Sequence, residues 1–326
     1  MSEPDPGAPR GRSAWRVAGI VVAVVLGVCG LVAVAGVLLF MLAINSLGGQ
    51  QVSLLAARVR LVVLMARPAL VLLLGSYALL GLAQHGRASR VADLPLVAGV
   101  LVATVGYLLV SVVLNDLADA EVDRVNLAGD RRRPLASGAV PRDLVVVAVV
   151  GGVLALTAAA LLGPLPLAVL VAGTLVGAAY SLPPLRLSAR GAVASLALPL
   201  NVVAVPYLVG LLAARAEVTR DDALLLGGLY AAVIGRLLLK DVRDVRGDAL
   251  LGKRTFLVRH GRLVTCRVSA VACVLGGALL VAAVPDRTPA LVSSYAVGLS
   301  GVVVLLALLA RSPARATTRC WWGPSP

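Results

Sequence analysis

The sequence predicts an all-α, multi-pass transmembrane helical bundle of about nine helices, and three observations predict it. Hydrophobic residues make up 60% of the 326-residue chain, and its mean hydropathy is +0.96. That is more apolar surface than one aqueous core could bury, so the bilayer must serve as solvent. The apolar residues are gathered into runs of membrane-crossing length, separated by short charged connectors. Strand-like alternation is absent, and in lipid a helix satisfies its own backbone hydrogen bonds, which excludes a barrel and favours helices.

Taken in order, the runs fall at 17–43, 61–84, 94–114, 143–162, 165–181, 191–213, 223–239, 264–284 and 289–310. The connectors after the second, fourth, sixth and eighth runs are short and hold few charges, whereas those after the third and seventh are long and strongly charged. With the long loops on one side, that side holds Arg58, Arg60, Arg124, Arg131 to Arg133, Arg142, Arg186 and Arg190. It also holds the bases between Lys240 and Arg267 and those of the tail, Arg311, Arg315 and Arg319. By the positive-inside rule the long loops are cytoplasmic, in an integral cell-membrane protein. Arg10, Arg12 and Arg16 oppose this, so the first run reads as an extra helix, a signal-like segment, or an extension ahead of a start near Met41. The expected division is a tail with an extra apolar segment at 1–60, a membrane domain at 61–310 and a tail at 311–326.

A net charge of +14 might suggest a nucleic-acid partner, but the arginines lie in loops between spans, where they set orientation and meet anionic headgroups. Membrane lipids, not nucleic acid, are the expected surroundings. Cys29, Cys266, Cys273 and Cys320 are scattered without a CxxC pair and read as small apolar filler. His85 and His260 lack a second imidazole at ligand spacing and read as solvated or interfacial side chains in loops.

Two acidic clusters stand where charge is expensive. Asn115, Asp116, Asp119 and Asp123 follow directly on the third run as NDxxDxxxD, with Asn115, Asp119 and Asp123 spaced to line one helical face. Asp241, Asp244 and Asp248 end the seventh run at i, i+3 and i+7, again on one face, with Arg236 and Lys240 one and two turns back along the stripe of Asp244 and Asp248. The chain has only two lysines, Lys240 and Lys253, and both fall in or just after this cluster, where a compact point charge suits a phosphate oxygen. One such cluster could be a hydrated helix cap that balances the arginines of its loop. Two on the same side, each ending a span, point to carboxylate sets that clamp a magnesium diphosphate and let its carbon–oxygen bond ionise.

These residues resemble the UbiA superfamily of intramembrane prenyltransferases. Arg131-Arg132-Arg133-Pro134-Leu135-Ala136-Ser137-Gly138 is similar to the family's RPL-x-SG stretch, and Tyr180-Ser181-Leu182-Pro183-Pro184-Leu185-Arg186 to its YSxPP loop. Gly247-Asp248 with Gly252-Lys253-Arg254-Thr255 resembles the end of its second motif, and Arg67-Pro68 the basic-proline pair of its first helix. The resemblance covers about residues 60 to 310. It implies a bundle around a central cavity with a cytoplasmic cap, two Mg²⁺ ions, and a polyprenyl diphosphate whose tail leaves through an apolar tunnel. It further implies Asn115, Asp116, Asp119 and Asp123 as one metal set and Asp241, Asp244 and Asp248 as the other. Arg124, Lys240 and Lys253 become the expected diphosphate contacts, and Tyr180 a cap residue near the reacting carbon; Asp119, Asp123, Asp244 and Tyr180 are the expected catalytic residues. The chain departs from the family pattern in placing its first motif after the third apolar run instead of the second, and in showing no apolar run after residue 310.

The function expected is Mg²⁺-dependent transfer of a prenyl group from a polyprenyl diphosphate to a hydrophobic acceptor of aromatic or glycerophosphate type. A terpene cyclase of the same fold would use the same metal site but steer cations with aromatic faces, and this chain has only two Phe and three Trp. A transporter would place acids near the midplane, often within inverted repeats, whereas these acids lie at helix ends.

Overall fold

The computed structural model describes residues 59–84, 86, 91–120, 141–215, 217–250, 254–284 and 287–311, with the side chains of 141 and 240–250 outside that description. The first apolar run, 17–43, therefore lies outside the described residues. Every other expected run is a helix. Among the described residues seven helices are long and apolar enough to cross a membrane, and a bent pair makes an eighth span.

That bent pair is α1 (Val59–Ala66) and α2 (Pro68–Ala83), which meet at 58°. Pro68 explains the break: its ring pushes the preceding residue out of the helical region and it has no N–H to continue the ladder. Arg67 accordingly sits at φ 48°, ψ 80°, a left-handed conformation that costs a non-glycine residue about 1 kcal/mol or more. A short 3₁₀ turn (Val91–Asp93) leads into α3 (Leu94–Ala118), followed by α4 (Pro141–Leu162) and α5 (Pro164–Ser181).

The sixth span is interrupted. Helix α6 (Ala192–Pro199) passes into a π turn (Leu200–Ala204) and then into α7 (Val205–Ala213). Pro199 and Pro206 each remove a backbone donor, and wider hydrogen-bonded turns are a usual accommodation. Helix α8 (Arg220–Leu250) crosses the membrane over Arg220–Leu239 and continues as helix beyond it. Its start is a capping box, in which Asp222 accepts from the backbone and hydroxyl of Thr219 while Thr219 accepts from the Asp222 N–H. Helices α9 (Phe256–Ala283) and α10 (Pro289–Arg311) complete the bundle. Helix α9 is kinked at Gly261 (φ 74°, ψ 173°): a short turn capped by Thr255, which accepts from Val258 N, carries His260, which is helical and not in a loop as expected, and the long segment begins past Gly261, close to the expected 264. The His260 ring packs against Phe256 with centroids 4.6 Å apart.

The core lies where α2, α3, α4, α5 and α7 converge, around the buried Tyr107, Leu74, Leu144 and Leu170. Small residues let the backbones approach. A Cβ at Gly210 would collide with the Ala78 carbonyl and one at Gly81 with the Tyr207 carbonyl, so α2 and α7 touch backbone to backbone. The outer faces, including Val149, Val153, Leu175 and Leu305, are exposed and apolar, as a lipid-facing surface requires. A parallel pair of two-residue strands, β1 (Arg190–Gly191) and β2 (Arg254–Thr255), ties the α5–α6 connector to the segment that follows α8.

Candidate active site

The third span delivers the first acidic cluster at its end. Helix α3 stops at Ala118, and Asp119 caps it at φ −100°, ψ 11°, its N–H donating to the Asn115 carbonyl at 2.9 Å. Asn115, Asp116 and Asp119 are thus held within one turn, Asp116 and Asp119 with 3% and 8% of their surface exposed. Two ionised carboxylates this deep require compensation. Arg67, at the break between α1 and α2, forms an ion pair with Asp116. Arg186, from the Tyr180–Arg186 stretch, reaches Asp119 Oδ1 at 3.4 Å and donates to the Ala118 carbonyl at 3.1 Å. A cation at that point also meets the negative end of the α3 dipole. Arg186 adopts a left-handed backbone (φ 35°, ψ 59°), and its side chain lies over the α3 terminus.

Asp123, Arg124 and Lys253 lie outside the described residues. For Lys240, Asp241, Asp244 and Asp248 the backbone is described and is continuously helical in α8. The i, i+3, i+7 spacing of these acids therefore does fall on one helical face.

Between α3 and the middle of α8 opens a cavity of about 570 Å³. Its wall takes Arg67 and Leu74 from the first two helices, Tyr107, Ser111 and Asn115 from α3, Gly177 and Tyr180 from α5, Asn201 from the π turn, and Val233, Arg236 and Leu239 from α8. Tyr107, Ser111, Asn115 and Asp119 follow at four-residue steps, a polar stripe running from the acidic mouth into the apolar interior. Deep in the wall the Tyr107 hydroxyl donates to Asn201 Oδ1 at 2.9 Å. Arg236 is exposed on the cavity side of α8, within one turn of Lys240.

Of the residues that sequence reasoning singled out, Asn115 and Tyr180 line this cavity, Asp116 pairs with Arg67 of its wall, and Asp119 lies one turn past Asn115, paired with Arg186. That reasoning missed Arg186 as the partner of Asp119, Arg67 as the partner of Asp116, and the Tyr107–Asn201 pair. A signal for Asn201 was available, since an amide two residues after a proline inside a membrane span marks a break that faces protein and not lipid. As for metal, no group of three His, Cys, Asp or Glu forms a closed cage among the described residues. The donors that are described, an amide and two carboxylates, are all hard oxygens. Mg²⁺ takes one or two carboxylates and completes its octahedron with substrate phosphates and water, so the residues fit Mg²⁺ bound together with a diphosphate.

The model of the UbiA prenyltransferase family matches residues 69–323. The chloroplastic chlorophyll synthase of Oryza sativa subsp. japonica is 30% identical over 157 residues, 45% of this chain and 40% of the relative, and that of Arabidopsis thaliana 28% over 158 residues, 45% and 39%. The matched segment thus spans about two-fifths of those relatives' length. Among solved structures, a UbiA homolog from Archaeoglobus fulgidus bound to DMAPP and Mg²⁺ superimposes with a TM-score of 0.58 at 18% identity, over 76% of this chain and 84% of the other. A digeranylgeranylglyceryl phosphate synthase gives 0.59 at 17% identity, over 81% and 91%. These structures share the fold of this chain.

Proposed function

The chain belongs to the UbiA prenyltransferase family, and we propose that it transfers a prenyl group from a polyprenyl diphosphate to a lipid-soluble acceptor with the aid of Mg²⁺. The observation that carries this reading is one cavity inside a membrane bundle with oxygen donors at its mouth, cations on its wall and hydrocarbon below them. Asn115, Asp116, Asp119 and Asp123 would hold one Mg²⁺, and Asp241, Asp244 and Asp248 the other. Bound there, Mg²⁺ neutralises the charge that builds on the leaving diphosphate.

The remaining work falls to side chains. Arg124, Lys240 and Lys253 are assigned to the diphosphate from their positions in the motifs, and the structure adds Arg67 and Arg236 as guanidinium groups on the cavity wall. The bond between C1 of the prenyl chain and the bridging oxygen breaks with its electron pair going to the diphosphate. The allylic cation that remains is captured by an electron pair of the acceptor, which then gives up a proton. Leu70, Leu73 and Leu74 line an apolar path for the chain and keep water from the cation. Tyr180, on the same wall, lies where it can face the reacting carbon.

Transfer is favoured over cyclisation because only two aromatic side chains, Tyr107 and Tyr180, line the cavity among the described residues. A cyclase steers its cations with more aromatic faces than that. An acceptor of glycerophosphate type is in keeping with the name of the digeranylgeranylglyceryl phosphate synthase that shares the fold. In keeping with the positive-inside count, the mouth faces the cytoplasm and draws on cytosolic donors. Membranes containing the protein, incubated with radiolabelled geranylgeranyl or farnesyl diphosphate with and without Mg²⁺, test the reading. A prenylated lipid formed only with Mg²⁺ is expected; a cyclic hydrocarbon, or a product formed equally well in EDTA, would overturn it.

A further inference from the structure

Below the acidic mouth, the cavity wall carries a hydrogen-bond donor that the described protein leaves unused. Asn201 has 5% of its surface exposed and lines the cavity from the π turn. Its Oδ1 is taken by the Tyr107 hydroxyl, but no described residue accepts from its Nδ2. Its Nδ2 is accessible from the cavity, where the oxygen of a ligand can accept from it.

The space beside it is kept open by a glycine. A methyl group at Gly177 would stand 3.6 Å from Asn201 Nδ2 and 3.6 Å from Ser111 Oγ. Asn201 and Ser111, from two different elements, therefore flank one gap, whose third side is the bare backbone of α5. At about 1.5 Å of rise per residue, Ser111 and Tyr107 lie roughly 6 and 12 Å below Asn115 along α3. A diphosphate held at the mouth does not extend to that depth, and the prenyl chain attached to it is hydrocarbon with nothing to offer an N–H.

We propose that Asn201 Nδ2 and Ser111 Oγ bind an oxygen of the acceptor, so that this gap selects membrane-soluble acceptors bearing a carbonyl, ether or hydroxyl oxygen on an otherwise apolar body. The assignment rests on the prenyl-transfer reading above. The π turn gives it a structural basis. The wider turn, set off by Pro199, aims Asn201 at the cavity while its neighbours Val203 and Val205 stay in the core.

Two variants of the full-length protein test it. Gly177→Ala fills the gap while making only ordinary van der Waals contacts. Tyr107→Phe/Asn201→Leu removes the Asn201 donor together with the hydroxyl that pairs with its Oδ1. With geranylgeranyl diphosphate as donor and either naphthalene-1,4-diol or geranylgeranylglyceryl phosphate as acceptor, both variants should raise the acceptor KM at least ten-fold. The donor KM should rise no more than a fifth as much. Equal changes in the two KM values, or an acceptor KM within two-fold of wild type, would overturn the assignment and leave the prenyl-transfer reading standing. Mg²⁺-dependent release of diphosphate by the wild-type protein supplied with a membrane lipid extract keeps the two apart. If the extract supports release but neither probe is prenylated, the oxygen-bearing acceptor site is overturned; if neither the extract nor the probes support release, the prenyl-transfer reading falls.

Discussion

At the residue scale, the site is a balance of charges that no single element could hold. Asp116 and Asp119 are buried at the end of a membrane helix, and each is met by a guanidinium from a distant segment, Arg67 for the first and Arg186 for the second. Removing one partner of such a pair takes compensation away from a charge buried where water is scarce. Arg67→Ala should therefore lower stability by about 2 kcal/mol, less than a fully buried pair would lose because the arginine is partly exposed. Arg67→Ala/Asp116→Asn should recover most of that loss. Thermal unfolding in detergent checks both, and a double variant no more stable than the single would argue against the pair. Catalysis should respond differently. Asp119→Ala and Asp244→Ala each remove a proposed ligand of the diphosphate clamp and should reduce turnover by about 10²-fold or more while leaving a folded protein in the membrane. Near-normal rates in either variant would count against the metal assignment.

At the element scale, three interruptions of helical regularity build the cavity. The break at Arg67–Pro68 points a cation inward, the π turn at Leu200–Ala204 points an amide inward, and Arg186 folds back over the end of α3. Each sits on a scaffold of tightly apposed helices. The contact of α2 with α7 through Gly81 and Gly210 fixes the distance between the walls that carry Leu74 and Asn201. Gly210→Val would force those backbones apart, and overpacking of this kind costs about 1–3 kcal/mol. A lower melting temperature, together with a raised KM for the prenyl donor, is expected. An unchanged melting temperature would show that the two helices do not depend on this contact.

At the scale of the whole molecule, orientation decides which substrates can reach the mouth. The bases of the long loops outnumber those of the opposite side, and the same side carries both acidic clusters. Cysteines introduced at Ala136 and Gly252 should react with membrane-impermeant maleimides only after the cytoplasmic face is opened. Labelling in intact cells would reverse the topology and remove access to cytosolic diphosphates. The short pairing of β1 with β2 fits a mouth shaped as one unit, because it joins the connector bearing Arg186 to the segment just past α8.

Membrane immersion, the described spans and the place of the first acidic cluster at the end of α3 were legible in the sequence, because each is a property of neighbours along the chain, whereas the second cluster lies on the helical continuation of α8 past its span. Run length sets a span, and residue spacing sets a helical face. The short capped turn ahead of the kink at Gly261 was not legible, since Arg259 and His260 interrupt the apolar pattern there although a turn at the interface tolerates them. The pairings were not legible either. Arg67 meets Asp116 across 49 residues, Arg186 meets Asp119 across 67, and Tyr107 meets Asn201 across 94. Lipid gives helices no hydrophobic reason to choose one partner over another, so those contacts depend on where small residues let backbones touch and where prolines bend them. The sequence by itself determined the membrane, the helices and the acidic motifs; only the tertiary structure decided which cations stand against the acids and which amide is left facing the cavity.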